Sequence, residues 1–296
     1  GYSTGITGDA AAEIVAHDYK AQRLFVCNGG ADRVEVLDCQ DINNLKLVQL
    51  LDLSAIGSPN SVAVFNGLLA IAIEAPVKTD AGSVAFYDTK TLERLALVQV
   101  GSLPDMVTFT PNGKFVLVAN EGEPNDDYTV DPEGTISIID LRKGIKKLTQ
   151  AQVRTADFHA FNDEVPAGVR IYGPNATVSQ DLEPEYIACS SSSRFAVITL
   201  QENNAVAYLD ILKGQITRLV ALGMKDYSAN TSLKTFGFAA RPSIGKTAGG
   251  QEILLGGFSG LYFEGVNPRN GNLRFITHPD RGPNAEPLDV NADGIK

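Results

Sequence analysis

Four segments of this chain follow one plan, and a unit repeated four times restricts the fold more than any local propensity. The first runs Glu13-Ile-Val-Ala, Leu24-Phe-Val-Cys-Asn28, Val34-Glu-Val-Leu-Asp38 and Leu45-Lys-Leu-Val-Gln-Leu50. The second runs Asn60-Ser-Val-Ala-Val, Leu69-Ala-Ile-Ala-Ile-Glu74, Val84-Ala-Phe-Tyr-Asp88 and Leu95-Ala-Leu-Val-Gln-Val100. The third has Asp105-Met-Val-Thr-Phe, Phe115-Val-Leu-Val-Ala-Asn120, Ile136-Ser-Ile-Ile-Asp140 and a weaker fourth run near Lys147-Leu-Thr. The fourth has Glu185-Tyr-Ile-Ala, Phe195-Ala-Val-Ile-Thr, Val206-Ala-Tyr-Leu-Asp210 and Ile216-Thr-Arg-Leu-Val-Ala221. Unit openings are spaced 47, 45 and 80 residues apart, so the third unit carries extra loop. Four short β-branched or aromatic runs per unit, divided by turn residues, predict an all-β propeller of four-stranded blades. The only helix expected is a short one around Asp41–Asn44.

Antiparallel order within a blade places the start of strand A and the end of strand B on one face, here called the upper face. The B–C loops and the blade-to-blade crossovers lie there too. Asp38, Asp88, Asp140 and Asp210 end each strand C on the lower face, where an aspartate can cap its own turn. Both long insertions belong to the upper face: the loop after Asn120, to Gly134, and the crossover from about Ala151 to Pro184. Long loops on one face of a rigid scaffold are where function concentrates.

The chemistry offered there is acidic. Glu13, Asn60, Asp105 and Glu185 open the A strands and should ring the mouth of the central channel. Asn28, Glu74, Asn120 and Gln201-Glu202 end the B strands, and the inserted loop adds Glu121, Glu123, Asp126, Asp127, Asp131 and Glu133. So many carboxylates repel one another unless cations sit among them. Oxygen ligands without Cys or His clusters suit Ca²⁺, with Mg²⁺ second, and no organic cofactor is indicated. The metal candidates are Glu121, Glu123, Asp126, Asp127 and Asp131, with Asp105 and Glu185. A solvated rim, or pairing with Arg33, Arg154 or Arg170, accounts for the same residues. Asp289-Val-Asn291-Ala-Asp293-Gly294 matches the first half of a calcium loop, but its bidentate acid would fall past Lys296. His278, Asp280 and Arg281 bring imidazole, carboxylate and guanidinium within four positions and are the catalytic candidates.

Composition narrows the partners. Across 296 residues, 35 Asp and Glu outweigh 25 Lys and Arg for a net charge of −10, which repels nucleic acid. No apolar run reaches the length of a membrane span. Cys27, Cys39 and Cys189 do not make a disulfide framework; Cys27 should pair near Val34, with Cys39 too distant to bridge. The chain starts at Gly1 without an initiator Met, which reads as a processing or expression boundary.

Ser102-Leu-Pro-Asp-Met-Val-Thr-Phe-Thr-Pro-Asn-Gly-Lys114, Ala119-Asn-Glu-Gly-Glu-Pro-Asn-Asp-Asp-Tyr-Thr129, Asp181-Leu-Glu-Pro-Glu-Tyr-Ile-Ala188 and Thr199-Leu-Gln-Glu-Asn-Asn-Ala-Val-Ala207 resemble the choice-of-anchor type I surface domain, related to mesenchyme-specific cell surface glycoproteins. The resemblance covers about residues 1–226 and implies a YVTN- or WD-like propeller. After a linker at 227–251, the stretch 252–296 is similar to the opening of a phytase-like domain (esterase-like activity of phytase), through Gly256-Gly-Phe-Ser-Gly-Leu-Tyr-Phe-Glu-Gly-Val-Asn-Pro268 and Gly271-Asn-Leu-Arg-Phe-Ile-Thr-His-Pro-Asp-Arg-Gly-Pro-Asn284. In series the two modules resemble secreted alkaline-phosphatase-type proteins of cyanobacteria. That implies export to the periplasm, cell surface or medium, and hydrolysis of a phosphate ester held through cations on the upper face. The alternative is a non-catalytic surface propeller that binds a ligand, the rest of its own precursor, or another chain. Either the ring closes with few blades or the sequence is the N-terminal portion of a longer protein, and the second is the expectation.

Overall fold

The computed structural model describes residues 1–6, 10–223, 243–246, 250, 252–254, 258–266 and 273–279. The chain divides into two compact units, Gly1–Lys225 and Asp226–Lys296. The first holds four antiparallel four-stranded sheets, each paired in sequence order. Blade one is β1 (Val15–Asp18), β2 (Arg23–Asn28), β3 (Arg33–Asp38) and β4 (Lys46–Asp52). Blade two is β5 (Ser58–Phe65), β6 (Leu68–Glu74), β7 (Ala81–Asp88) and β8 (Arg94–Ser102). Blade three is β9 (Pro104–Phe109), β10 (Phe115–Asn120), β11 (Thr135–Asp140) and β12 (Val153–Ala156). Blade four is β13 (Tyr186–Cys189), β14 (Phe195–Leu200), β15 (Ala205–Asp210) and β16 (Gln215–Ala221).

The B and C strands of blades two and three are apolar at nearly every position because those blades are buried on both faces, whereas in blade four Phe195 and Tyr208 face outward and are exposed. Phe25, Cys27, Val34 and Val36 of blade one pack on Leu69, Ile71 and Ile73 of blade two. The opposite face of blade two, through Ala70, Ala72, Val84 and Phe86, meets Val116, Val118 and Ile139 of blade three. Leu117, Ile136 and Ile138 then meet Ala196, Ile198, Ala207 and Leu209 of blade four. The A strands touch in succession, β1 to β5 to β9 to β13, and so line the axis.

On the lower face the four aspartates cap their own turns. Asp38 accepts from the Gln40 amide at 2.9 Å, Asp88 from Lys90 and Thr91 at 2.8 and 2.7 Å, Asp140 from Arg142 at 2.9 Å and Asp210 from Lys213 at 3.1 Å. Two local expectations fail. Asp41–Asn44 is a turn closed by the Asn44 amide on the Asp41 carbonyl rather than a helix. Strand D of the third unit is β12, pairing Val153 with Ile139 and Ala156 with Ile136, whereas Ile145–Lys147 is a 3-10 turn. Gly144 sits there at φ +84°, which directs the chain away from the sheet and leaves the lysines in solvent.

The thiols are free: Cys27, paired in register with Val34, and Cys39 are buried, and Cys189 is half-buried. Burial raises the pKa of all three. In the second unit, β17 (Ser243–Lys246) pairs with β18 (Glu252–Leu254), so the stretch expected as linker holds a strand. Strand β19 (Phe258–Val266) pairs with β20 (Leu273–Pro279). Among the described residues no helix is long and apolar enough to cross a membrane.

Candidate functional site

The structure gathers the predicted carboxylates around one cleft at the upper face. Its centre is the mouth of the axis, where the residues opening the A strands converge. Burial pushes Asp105 up to about 6, helped by Glu13 of blade one, Glu123 of the inserted loop and Glu74 of blade two. Glu121, immediately after β10, is pushed up to about 9 by burial and then by Asp105, Glu123, Glu185 and Glu183. Glu183 and Glu185 both reach about 7, again through burial first and neighbouring carboxylates second. In each case the ionised form loses water and faces like charge, and the two effects add. Asn60, the one neutral member of the opening ring, donates to Glu74 Oε2 at 3.3 Å.

From this centre the cleft runs outward between the inserted loop and the crossover. It encloses about 470 Å³, lined by Glu123, Asp126, Asp131 and Tyr128 on one wall and by Tyr172, Asp181, Glu183 and Glu202 on the other. Asp181 builds the second wall. It ends the one-turn helix α1 (Val178–Asp181), is 5% exposed, and accepts from the Tyr172 amide at 3.1 Å, the Gly173 amide and Asn203 Nδ2 at 3.0 Å. Thr177 starts that helix with a capping box, its hydroxyl accepting from the Gln180 amide. Gln180 Nε2 then donates to the Asp131 carbonyl at 2.8 Å, and the Gly134 amide to the Ser179 carbonyl at 3.0 Å, which joins the walls. A Cβ on Gly134 would overlap the Leu182 carbonyl, so only glycine permits this approach.

Few cations offset this charge. Lys78 pairs with Glu123 at 3.1 Å, and Arg170 reaches Glu202 at 3.9 Å while lying over the Tyr172 ring. Arg33 is occupied by Glu35, and Arg154 by the Ile211 and Leu212 carbonyls. Of the three arginines that could have neutralised the rim, only Arg170 is there.

The predicted site residues separate accordingly. Asp105, Glu121, Glu123 and Glu185 come together, and Asp126 and Asp131 line the outer cleft. Asp127 turns away, its Oδ1 accepting from the Thr129 hydroxyl at 2.7 Å and its pKa lowered by that bond. Asn28 and Asn120, expected at the rim, are fully buried inside the blades. Asn28 donates to Glu35 at 2.8 Å and Asn120 to Ser137 at 3.0 Å. Among the described residues no three His, Cys, Asp or Glu side chains are grouped so as to hold a metal ion. His278 lies in β20, in register with Gly260. Asp280, Arg281, Asp289, Asn291 and Asp293 lie outside the described residues.

Sequence reasoning missed the part played by Glu183, Asp181 and Tyr172. One signal was present: Glu183-Pro-Glu185 sets two acids two residues apart directly before strand A of blade four. The proline disfavours a helical Glu183, so the chain approaches blade four in extended form.

Among solved structures, a functionally unknown protein from Desulfotomaculum acetoxidans is similar with a TM-score of 0.50 at 12% identity, over 94% of this chain and 74% of that one. The nidogen/laminin complex gives a TM-score of 0.43 at 13% identity, over 70% of this chain and 62% of that one. At 12% identity the first likeness concerns the fold alone. By sequence, a mesenchyme-specific cell surface glycoprotein of Strongylocentrotus purpuratus is 30% identical over 155 residues, 49% of this chain and 19% of that protein. The chain thus spans about a fifth of that relative's length. These findings bear on the first resemblance and lend nothing to the phytase-like one. A family model described as the choice-of-anchor I domain matches residues 13–235, well over half of the sequence, and the chain belongs to that family.

Proposed function

We propose that this chain is a non-catalytic surface-binding propeller whose upper-face cleft takes positively charged groups of a partner, such as lysine and arginine side chains. Surface association is in keeping with the family's description and with the name of the sea-urchin relative. The observation that carries the ligand class is the raised pKa of Asp105, Glu121, Glu183 and Glu185, four acids held together with too few cations. An incoming ammonium or guanidinium favours their ionised forms, so binding releases protons and strengthens as pH rises from about 6 to about 9. Carboxylates spaced along a cleft suit an extended cationic ligand better than a compact ion. Tyr128, about half exposed, offers a ring face on which such a group can rest.

The test is fluorescence anisotropy of a labelled Lys/Arg-rich peptide against an acidic peptide of equal length. The basic peptide should bind with a salt-dependent affinity that increases with pH. Replacing Glu121, Glu183 and Glu185 by Gln should weaken it by about tenfold or more, roughly 1.4 kcal/mol. Equal binding of the two peptides, or an unaffected triple variant, overturns the reading.

A further inference from the structure

The inserted loop and the crossover meet at a second contact, which uses a histidine. His159 opens a 3-10 turn (His159–Phe161) directly after Phe158, which is fully buried between blades three and four and fixes where the turn begins. The imidazole lies between two carboxylates: Nε2 is 2.6 Å from Glu133 Oε2, and Nδ1 is 3.5 Å from Asp157 Oδ2. A neutral imidazole carries one N–H and one lone pair. In this position it can donate to one carboxylate only and must point its lone pair at the other. The imidazolium satisfies both.

Glu133 is also where the walls are tied together. Its Oε1 accepts from the Ser179 hydroxyl at 3.0 Å. Ser179 in turn is held by Asn162, whose Oδ1 accepts the Ser179 amide at 2.8 Å and whose Nδ2 donates to the Ser179 hydroxyl at 3.2 Å. The adjoining Gly134 amide donates to the Ser179 carbonyl. Among the described residues neither Glu133 nor Asp157 has an ion-pair partner besides His159. The one titratable group of the helix packed against this turn is Asp181, and it is occupied by the Tyr172 and Gly173 amides and Asn203. Among the described residues His159 is therefore the one cation paired at the knot.

We propose that His159 and Glu133 form a pH-dependent latch between the two walls of the cleft, closed while the imidazole carries its proton and loosened when it is lost. The bond to Glu133, and then the charges of Asp157 and Glu133, raise the imidazole pKa above its ordinary value, so the latch holds to a higher pH than a free imidazole would allow and loosens as pH rises further. Over the same range Glu183 ionises opposite Glu123 of the other wall, so loosening and charging proceed together. The device does not depend on what the cleft binds.

Hydrogen exchange on the full chain, corrected for intrinsic rates, tests it on peptides covering 121–134 and 157–182. In the wild type, protection should fall by about two- to fivefold between about pH 6 and pH 8.5, the range an exposed ion pair supports. His159→Gln should lack the step and exchange at every pH as the wild type does when alkaline. His159→Arg, which keeps a cation at all pH values, should also lack the step but stay protected. By NMR, Glu133→Gln should lower the imidazole pKa toward its ordinary value. Carboxylate titration alone would leave the step intact in the two His159 variants. A persistent step there, or no step in the wild type, overturns the proposal.

Discussion

Replacing Glu121 by Gln should stabilise the propeller at neutral and alkaline pH and change little in mild acid. In the unfolded chain a glutamate titrates near its ordinary 4.5, and in the folded cleft Glu121 is pushed up to about 9. A raised carboxylate contributes stability that is fully present below the unfolded pKa and is lost as pH climbs through the folded one. Between 4.5 and 7 that linkage amounts to about 3.4 kcal/mol, at about 1.36 kcal/mol per pH unit. Asp105, Glu183 and Glu185 share the same protons, so part of this falls to them, and we expect about 2 kcal/mol at pH 7 for the single substitution. For a unit of this size that is a rise in Tm of about 4–8 °C. The assay is thermal unfolding of wild type and Glu121→Gln at low salt, from about pH 5 to about pH 9. The two midpoints should nearly coincide at the acid end and separate steadily toward the alkaline end. A constant separation across the series, or a wild type that gains stability as pH rises above 5, would refute the reasoning.

Two further perturbations probe the scaffold behind the cleft. Asp181→Ala strands the Tyr172 and Gly173 amides and Asn203 Nδ2, which should cost about 1–3 kcal/mol, with Asp181→Asn milder; hydrogen exchange at Tyr172 and Gly173 should speed up in both. Phe158→Ala empties a fully buried site in the core between blades three and four. It should cost about 3–5 kcal/mol in chemical denaturation, and an effect under about 1 kcal/mol would mean that the crossover is not anchored there.

The blades were legible in the sequence because their signal is local: a run of β-branched residues, a turn, and an aspartate that caps it recur four times. The acidic mouth was legible for a topological reason, since meander order alone places the residues opening the A strands beside the loop after β10. Parity limited the rest. Successive side chains on a strand face opposite ways, so Asn120 is sealed inside a blade while Glu121, one residue on, faces the axis. The sequence does not mark which residue ends the ladder, and the rim reading of Asn28 and Asn120 failed on that step. Asp181 and Tyr172 depend on the path of the crossover, which is fixed by contacts with Asn203, Asp131 and Gly134, all distant in sequence. No periodic pattern encodes such contacts.

The cysteines have a practical consequence. A thiol reacts as its thiolate, and each of the three is held further from ionisation than a free cysteine. All three thiols are free in the fold, and their raised pKa values slow mispairing if the chain passes through an oxidising compartment. Burial also shields Cys27 and Cys39 from maleimides, while Cys189 is half-buried. One cysteine introduced at Asp126, on the cleft rim, would take a fluorophore selectively and report on both the bound partner and the opening of the walls.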